Sequence, residues 1–245
     1  MKWRALCLSA SVFALVITGA PVAAQDLSIS LGDDGSISAR TIQLILLITV
    51  LSLAPGIAIM ITCFPFIVTV LAILRQGIGL QQSPPNMLLI SLALFLTYFV
   101  MEPVFSDAWA AGISPLLNES ITTELAVERT LAPFRAFMAG RMDPETFTAM
   151  AALRPDAEGL EPGPEAPLSV LVPSFLLSEI ARAFQIGFLV FLPFLIIDLV
   201  VAAILMSMGM MMVPPAIVSL PFKLAFFVIA DGWTLLADSL VRGYF

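Results

Sequence analysis

Phe184-Gln-Ile-Gly-Phe-Leu-Val-Phe-Leu-Pro-Phe-Leu-Ile-Ile-Asp-Leu-Val-Val-Ala-Ala-Ile-Leu-Met-Ser-Met-Gly-Met-Met-Met-Val-Pro-Pro-Ala-Ile-Val-Ser-Leu-Pro-Phe-Lys223 decides the fold class. It is an apolar run, a methionine cluster, a Pro-Pro turn and a second apolar run. Ile186 to Met206 is long enough to cross the hydrocarbon core of a bilayer. Its only ionisable residue is Asp198, and a charge in such a setting is costly without a partner or water. The segment is therefore of membrane type, with a few polar groups whose placement carries the functional information.

Composition points the same way. Sixty per cent of the 245 residues are hydrophobic and 12% are charged; the mean hydropathy is +1.03. Those values lie far from an ordinary soluble domain. The net charge of −7 excludes the basic footprint that nucleic acid demands. With no histidine, the commonest general base and transition-metal ligand is missing. Cys7 and Cys63 are too isolated for a zinc site or a disulfide framework. No enzyme activity, metal or cofactor is expected.

Outward from the central stretch, the chain divides into five parts. Residues 1–24 form a signal-peptide pattern: Lys2 and Arg4, an apolar core from Leu6 to Ile17, and small residues Val22-Ala23-Ala24 for cleavage. The mature chain is expected to begin near Gln25, outside the cytoplasm. Residues 25–41 read as a short polar lead-in. Residues 42–105 read as a first helical hairpin, broken by Pro55-Gly56 and Pro65. Its turn holds Gly77, Gly79, Pro84 and Pro85, and its second span closes at Glu102-Pro103. Residues 106–167 are an acidic helical insert, with a helix start at Asp143-Pro144-Glu145 and a flexible linker from Pro155 to Pro167. Residues 168–245 form the second hairpin, with Pro214 and Pro215 at its tip. The predicted fold is all-α, with about four long, kinked hydrophobic helices. Both hairpins run out–in–out, so any internal duplication is a parallel repeat.

The polar groups suggest specific roles. Glu179 and Lys223 are isolated opposite charges in apolar sequence, and a mutual pair would offset the cost of burying each. Arg182 shares a helical face with Glu179 and competes for it. Asp198 and Asp231 suit a wet cavity, a neighbour's backbone or a proton relay. Met208, Met210, Met211 and Met212 are unbranched and polarizable, able to repack against varied surfaces.

The order and identity of several motifs resemble the FliP proteins of the flagellar export gate and their type III secretion counterparts. They are Arg75-Gln76-Gly77, Gln81-Gln82-Ser83-Pro84-Pro85-Asn86, Ser178-Glu179, Ala183-Phe184-Gln185-Ile186-Gly187-Phe188, Met208-Gly209-Met210-Met211-Met212, Leu220-Pro221-Phe222-Lys223 and Asp231-Gly232-Trp233. The resemblance runs from about Leu46 to Leu240. It implies a removed signal peptide, a pentameric homo-oligomer and FliQ- and FliR-like membrane partners. It also implies a pore for unfolded export substrates, closed by the four methionines, with much of the mass on the periplasmic side of the inner membrane. The sequence departs from the family pattern at Pro65-Phe66 and at Ile180-Ala181-Arg182. On residues alone, a small secondary transporter or ion channel is the alternative, supported by broken helices and intramembrane carboxylates. An intramembrane protease lacks its Ser/His or paired-Asp motif.

Overall fold

In the computed structural model the described residues are 37–80, 83–157, 159–210 and 212–244. The expected signal peptide, most of the lead-in, Gln81, Gln82 and Met211 lie outside them. Every regular element among the described residues is helical. The fold is all-α and of membrane type.

Helix α1 (Ile37–Met60) is apolar on all sides and continues through Pro55. It stops at Ile61-Thr62-Cys63, and α2 (Phe64–Ile78) starts with Pro65 in its first turn. The prolines expected to break the first span thus act differently. Pro65 opens a helix, where its missing N–H costs nothing, while Pro55 is absorbed inside one. Phe66, Ile67, Val70, Leu71, Leu74 and Ile78 give α2 a buried face at helical spacing. That face meets Leu89, Ala93, Val100 and Met101 of α3 (Asn86–Ala108). It also meets Ala183 and Phe194 of α7 (Leu168–Ser207), Phe227 of α8 (Pro215–Ile229) and Leu236 and Leu240 of α9 (Gly232–Arg242). This short helix is the axis of the larger core.

Glu102-Pro103 does not close the second span as expected. The helix runs on through Pro103 to Ala108, then through a π-helical turn (Trp109–Ile113) into α4 (Ser114–Leu117). Gly112 lies in this turn and packs tightly on α5 (Thr123–Arg141): a Cβ there would fall 2.0 Å from Thr130 Oγ1. Only glycine admits so close a neighbour.

The insert builds a second core. Asp143 caps α6 (Pro144–Ala152), accepting from the Thr146 amide at 2.9 Å and its hydroxyl at 2.7 Å. Phe147 and Ala151 of α6 pack with Met138 of α5 and Val170, Leu171 and Phe175 of α7. The Pro155–Pro167 stretch was expected to be a flexible linker, and here the structure differs. Ala157 and Ala166 are buried in this core, and Arg135 donates 3.0 Å bonds to the Pro164 and Ala166 carbonyls. Proline-rich composition disfavours helix, but one arginine satisfies the carbonyls such a segment leaves free.

Helix α7 is one 40-residue helix, running from the moderately apolar stretch 168–184 through the whole of the following apolar run. At 1.5 Å per residue it is about 60 Å long, twice the hydrocarbon thickness of a bilayer. Pro173 and Pro193 both lie inside it. Its crossing with α2 is close: a Cβ on Gly187 would fall 2.4 Å from Ile73 Cδ1, and one on Gly77 3.0 Å from the Phe194 ring. Helices α8 and α9 bend by 62° at Ala230-Asp231. By length and apolarity alone, Thr41–Met60, Asn86–Leu117 and Leu168–Ser207 could each cross a membrane, as could the bent α8–α9 pair taken as one span.

Candidate functional site

Three constellations hold the polar and methionine residues. The first surrounds Lys223, which is buried on α8. Its Nζ donates to Asp198 Oδ2 of α7 at 2.6 Å and to the Gly77 carbonyl of α2 at 3.0 Å. Gly77 lies in the last turn of α2, where unpaired carbonyls gather partial negative charge, so a lysine there is doubly favoured. Ser219, one helical turn before Lys223, donates to Asp198 Oδ1 at 2.5 Å. Three helices are joined through one ammonium group.

The second surrounds Glu179, whose side chain is fully buried on α7. Arg141, at the end of α5, approaches Oε1 with Nε and Nη2 at 3.1 Å each. Its Nη1 donates to the Gly243 carbonyl at 2.5 Å, and its guanidinium lies 4.0 Å from the centre of the Tyr244 ring. The Tyr244 hydroxyl donates to Glu179 Oε2. Arg182 Nη1 stands 3.6 Å from Oε1, more distant and more exposed. Burial, with the Glu179 charge beside it, pushes the Tyr244 phenol well above its ordinary range. The ring therefore stays a neutral donor.

These contacts correct the expected Glu179–Lys223 pair: each charge has another partner within the chain. The rule that isolated charges need neutralising holds, but the partners come from elsewhere. Glu179 takes Arg141 from the polar insert, and Lys223 takes Asp198 across the hairpin. Arg182 competes for Glu179 as expected, at the longer distance. Asp231 sits apart from both clusters, at positive φ (48°) at the α8–α9 bend, where it accepts from the Thr234 hydroxyl at 3.1 Å.

Arg141, Tyr244, Ser219 and the Gly77 carbonyl escaped the sequence reading. One signal was available for the first cluster. Asp198 and Lys223 are equidistant from the Met210–Met211 bond, so an antiparallel hairpin folded there sets them level. No comparable local signal pairs Glu179 with Tyr244, 65 residues away.

The third constellation is the methionine turn. Helix α7 ends with Gly209 at φ 76°; its N–H bonds the Met206 carbonyl at 3.0 Å, and the Met210 N–H bonds the Leu205 carbonyl at 3.0 Å. This paired arrangement is the Schellman ending, which requires a left-handed residue at Gly209. Met208 and Met210 line an apolar groove with Ile197, Val201, Val218 and Phe222. Met212 is 98% exposed. Pro214 precedes α8 and Pro215 opens it.

The first hairpin shares the sequence pattern of this turn. Gly79 ends α2 at φ 86°, and Pro85 precedes α3, so both turns read Gly, four residues, Pro-Pro. Pro84 stands beside Pro85 in that turn, where Arg75 donates to the Asn86 side chain. Among the described residues no group of His, Cys, Asp and Glu could hold a metal ion.

Comparison with known proteins gives the family. The family model described as the FliP family matches residues 47–240. A flagellar biosynthetic protein FliP of Caulobacter vibrioides is 49% identical over 235 residues, covering 96% of this chain and 88% of that protein. Those of Agrobacterium fabrum and Bacillus subtilis are 50% and 46% identical, covering 86% and 83% of this chain and 86% and 92% of the respective relatives. With the family match spanning most of its length, the chain belongs to the FliP family.

Proposed function

We propose that this chain serves flagellar biosynthesis as a structural, pore-forming subunit of the type III protein export gate. It acts without catalysis, passing unfolded substrates across the bacterial inner membrane. It assembles as a homo-oligomer, a pentamer by family resemblance, with FliQ- and FliR-like membrane subunits. Glu179 and Lys223 hold its helices in place through their separate partners, and the methionine turn forms the seal.

The observation that carries the reading is the methionine turn at the tip of an apolar hairpin in a FliP-family chain. Side chains left exposed there, repeated around a ring of copies, suit a soft closure that can repack around a passing polypeptide. The 60 Å length of α7 favours an assembly in which much of the helix stands outside the bilayer, toward the periplasm. Asp198 is engaged by Lys223 and Ser219, which argues against its use as a transporter's open ion ligand.

The test replaces Met208, Met210, Met211 and Met212 by alanine. Removing those side chains opens cavities that a ring adds together. The variant is expected to assemble with its partners and admit small ions across the inner membrane, whereas leucine replacements leak less and export more slowly. Conductance of cells carrying each variant is the measurement. An alanine variant that assembles and remains as tight as the parent refutes the seal.

A further inference from the structure

The Glu179 cluster is completed by the last described residues of the second hairpin, which follow α9. Gly243 and Tyr244 follow α9, and the chain there makes a last turn, with the Tyr244 amide bonding the Val241 carbonyl at 2.9 Å. From that turn the segment crosses to two other elements. The Gly243 carbonyl takes the Arg141 guanidinium of α5, and the Tyr244 hydroxyl takes the buried carboxylate of α7. The Tyr244 ring stacks on Phe137 of α5, centres 6.1 Å apart, and meets Phe66 of α2 edge-on at 5.7 Å. In the core against which Tyr244 packs lies Cys63, with no exposed surface and its Sγ 4.0 Å from the Thr97 carbonyl.

We infer that Gly243–Tyr244 is a strap: it closes over the junction of α2, α5 and α7, completes the neutralisation of Glu179 and seals the core that holds Cys63. The physical asymmetry supports a separable element. Gly243 and Tyr244 are held by a handful of contacts: the Arg141 and Glu179 hydrogen bonds and the ring contacts with Phe66 and Phe137. Release of the strap nevertheless removes one of the two principal partners of a fully buried carboxylate and empties the slot between Phe66 and Phe137. Small segments with few anchoring contacts open locally, without global unfolding. The strap thereby couples the position of α9 to that of the insert, through Arg141, and to the buried face of α2.

Cys63 supplies a native reporter. In membranes carrying the full chain with Cys7→Ser, reaction of Cys63 with N-ethylmaleimide at one fixed pH is followed by the mass of its peptide. The parent is expected to react slowly. Tyr244→Ala should raise the rate about tenfold or more, and Tyr244→Phe, which keeps the ring and loses the hydroxyl, by a smaller but measurable factor. A companion series carries Ala151→Cys in the second core with Cys63→Ser, with and without Tyr244→Ala. Its rate should not change, which separates an opened strap from a loosened molecule. Unchanged Cys63 reactivity in Tyr244→Ala overturns the inference, and so does a parallel rise at both positions. Should Tyr244→Ala fail to accumulate, Tyr244→Phe decides alone: a rate equal to the parent's overturns the strap.

Discussion

Lys223 answers two acceptors at once, a carboxylate across the hairpin and a carbonyl at a helix end, and the two are not equivalent. Its own side chain is buried, whereas the Asp198 side chain is 37% exposed, so solvent screens the carboxylate's share. Lys223→Met is expected to cost about 1–2 kcal/mol, because it leaves the Gly77 carbonyl without its donor while the freed Asp198 is partly solvated. Asp198→Asn leaves the buried Lys223 ammonium without its counter-charge and should cost about 3 kcal/mol. Denaturant unfolding in detergent, with motility as the cellular readout, should show the second as the larger loss. Asp143 supplies a second test. The Thr146 hydroxyl and amide hold its carboxyl below the usual carboxylate range. A depressed folded value means the cap's contribution is complete above the unfolded value near pH 4 and is lost as pH falls through the lower folded one. Asp143→Ala should therefore weaken α6 at neutral pH and flatten its acid response, measured by hydrogen exchange along Pro144–Ala152. The sequence made the need for counter-charges visible but not their source. Arg141 is one of four arginines in an acidic insert, with nothing local to set it apart, and only the folded chain brings it to Glu179, 38 residues away.

At the level of elements, glycine sets the closest contacts. Gly187→Ala would push a methyl into Ile73 at the α2–α7 crossing, costing about 1–3 kcal/mol. Ile73→Val removes the nearest colliding carbon, so the double variant should be more stable than the sum of the two losses predicts. Thermal unfolding of the four proteins measures that coupling. Gly209→Ala should cost about 1 kcal/mol for its left-handed backbone, and Gly209→Asn less. Both Pro-Pro turns were legible because proline and glycine act locally. The continuity of α7 was not. Its first half, residues 168–184, is less apolar and carries Glu179 and Arg182, and a charge breaks an apolar run on paper only while its partner is unknown. Pro103 misled in the same way: a proline removes one rung, and tertiary packing can carry a helix past it.

The whole molecule exposes far more apolar surface than a soluble monomer tolerates. Ile48, Leu51, Phe95, Phe99, Phe188, Leu199, Ile217 and Ile229 all face outward. Lipid or further subunits must cover them. Extracted in mild detergent, the chain should migrate as an oligomer even without its partners; a strictly monomeric particle at all concentrations would contradict the proposed ring. N-terminal sequencing of the membrane-bound protein should begin near Gln25. Class and motif order were legible because apolar composition and turn residues are local properties. The surface that makes subunits fit one another is not, since it emerges only when helices choose which side to bury.

Helix α7 carries a consequence for stiffness. Pro173 leaves the Ser169 carbonyl, and Pro193 the Leu189 carbonyl, without the usual amide four residues on. A 60 Å rod with two missing rungs behaves as three shorter rods joined in series, each joint bending more easily than the shaft. The first joint is bedded in the core around Phe175 and the second beside Phe194. Beyond the second, Ile196, Leu199, Val200 and Ile204 are exposed, so the last rod is clamped at its root and free along much of one flank. It ends in the methionine turn. Small tilts at Pro193 would thus be magnified at Met208 and Met210, as the tip of a fishing rod travels farther than the hand.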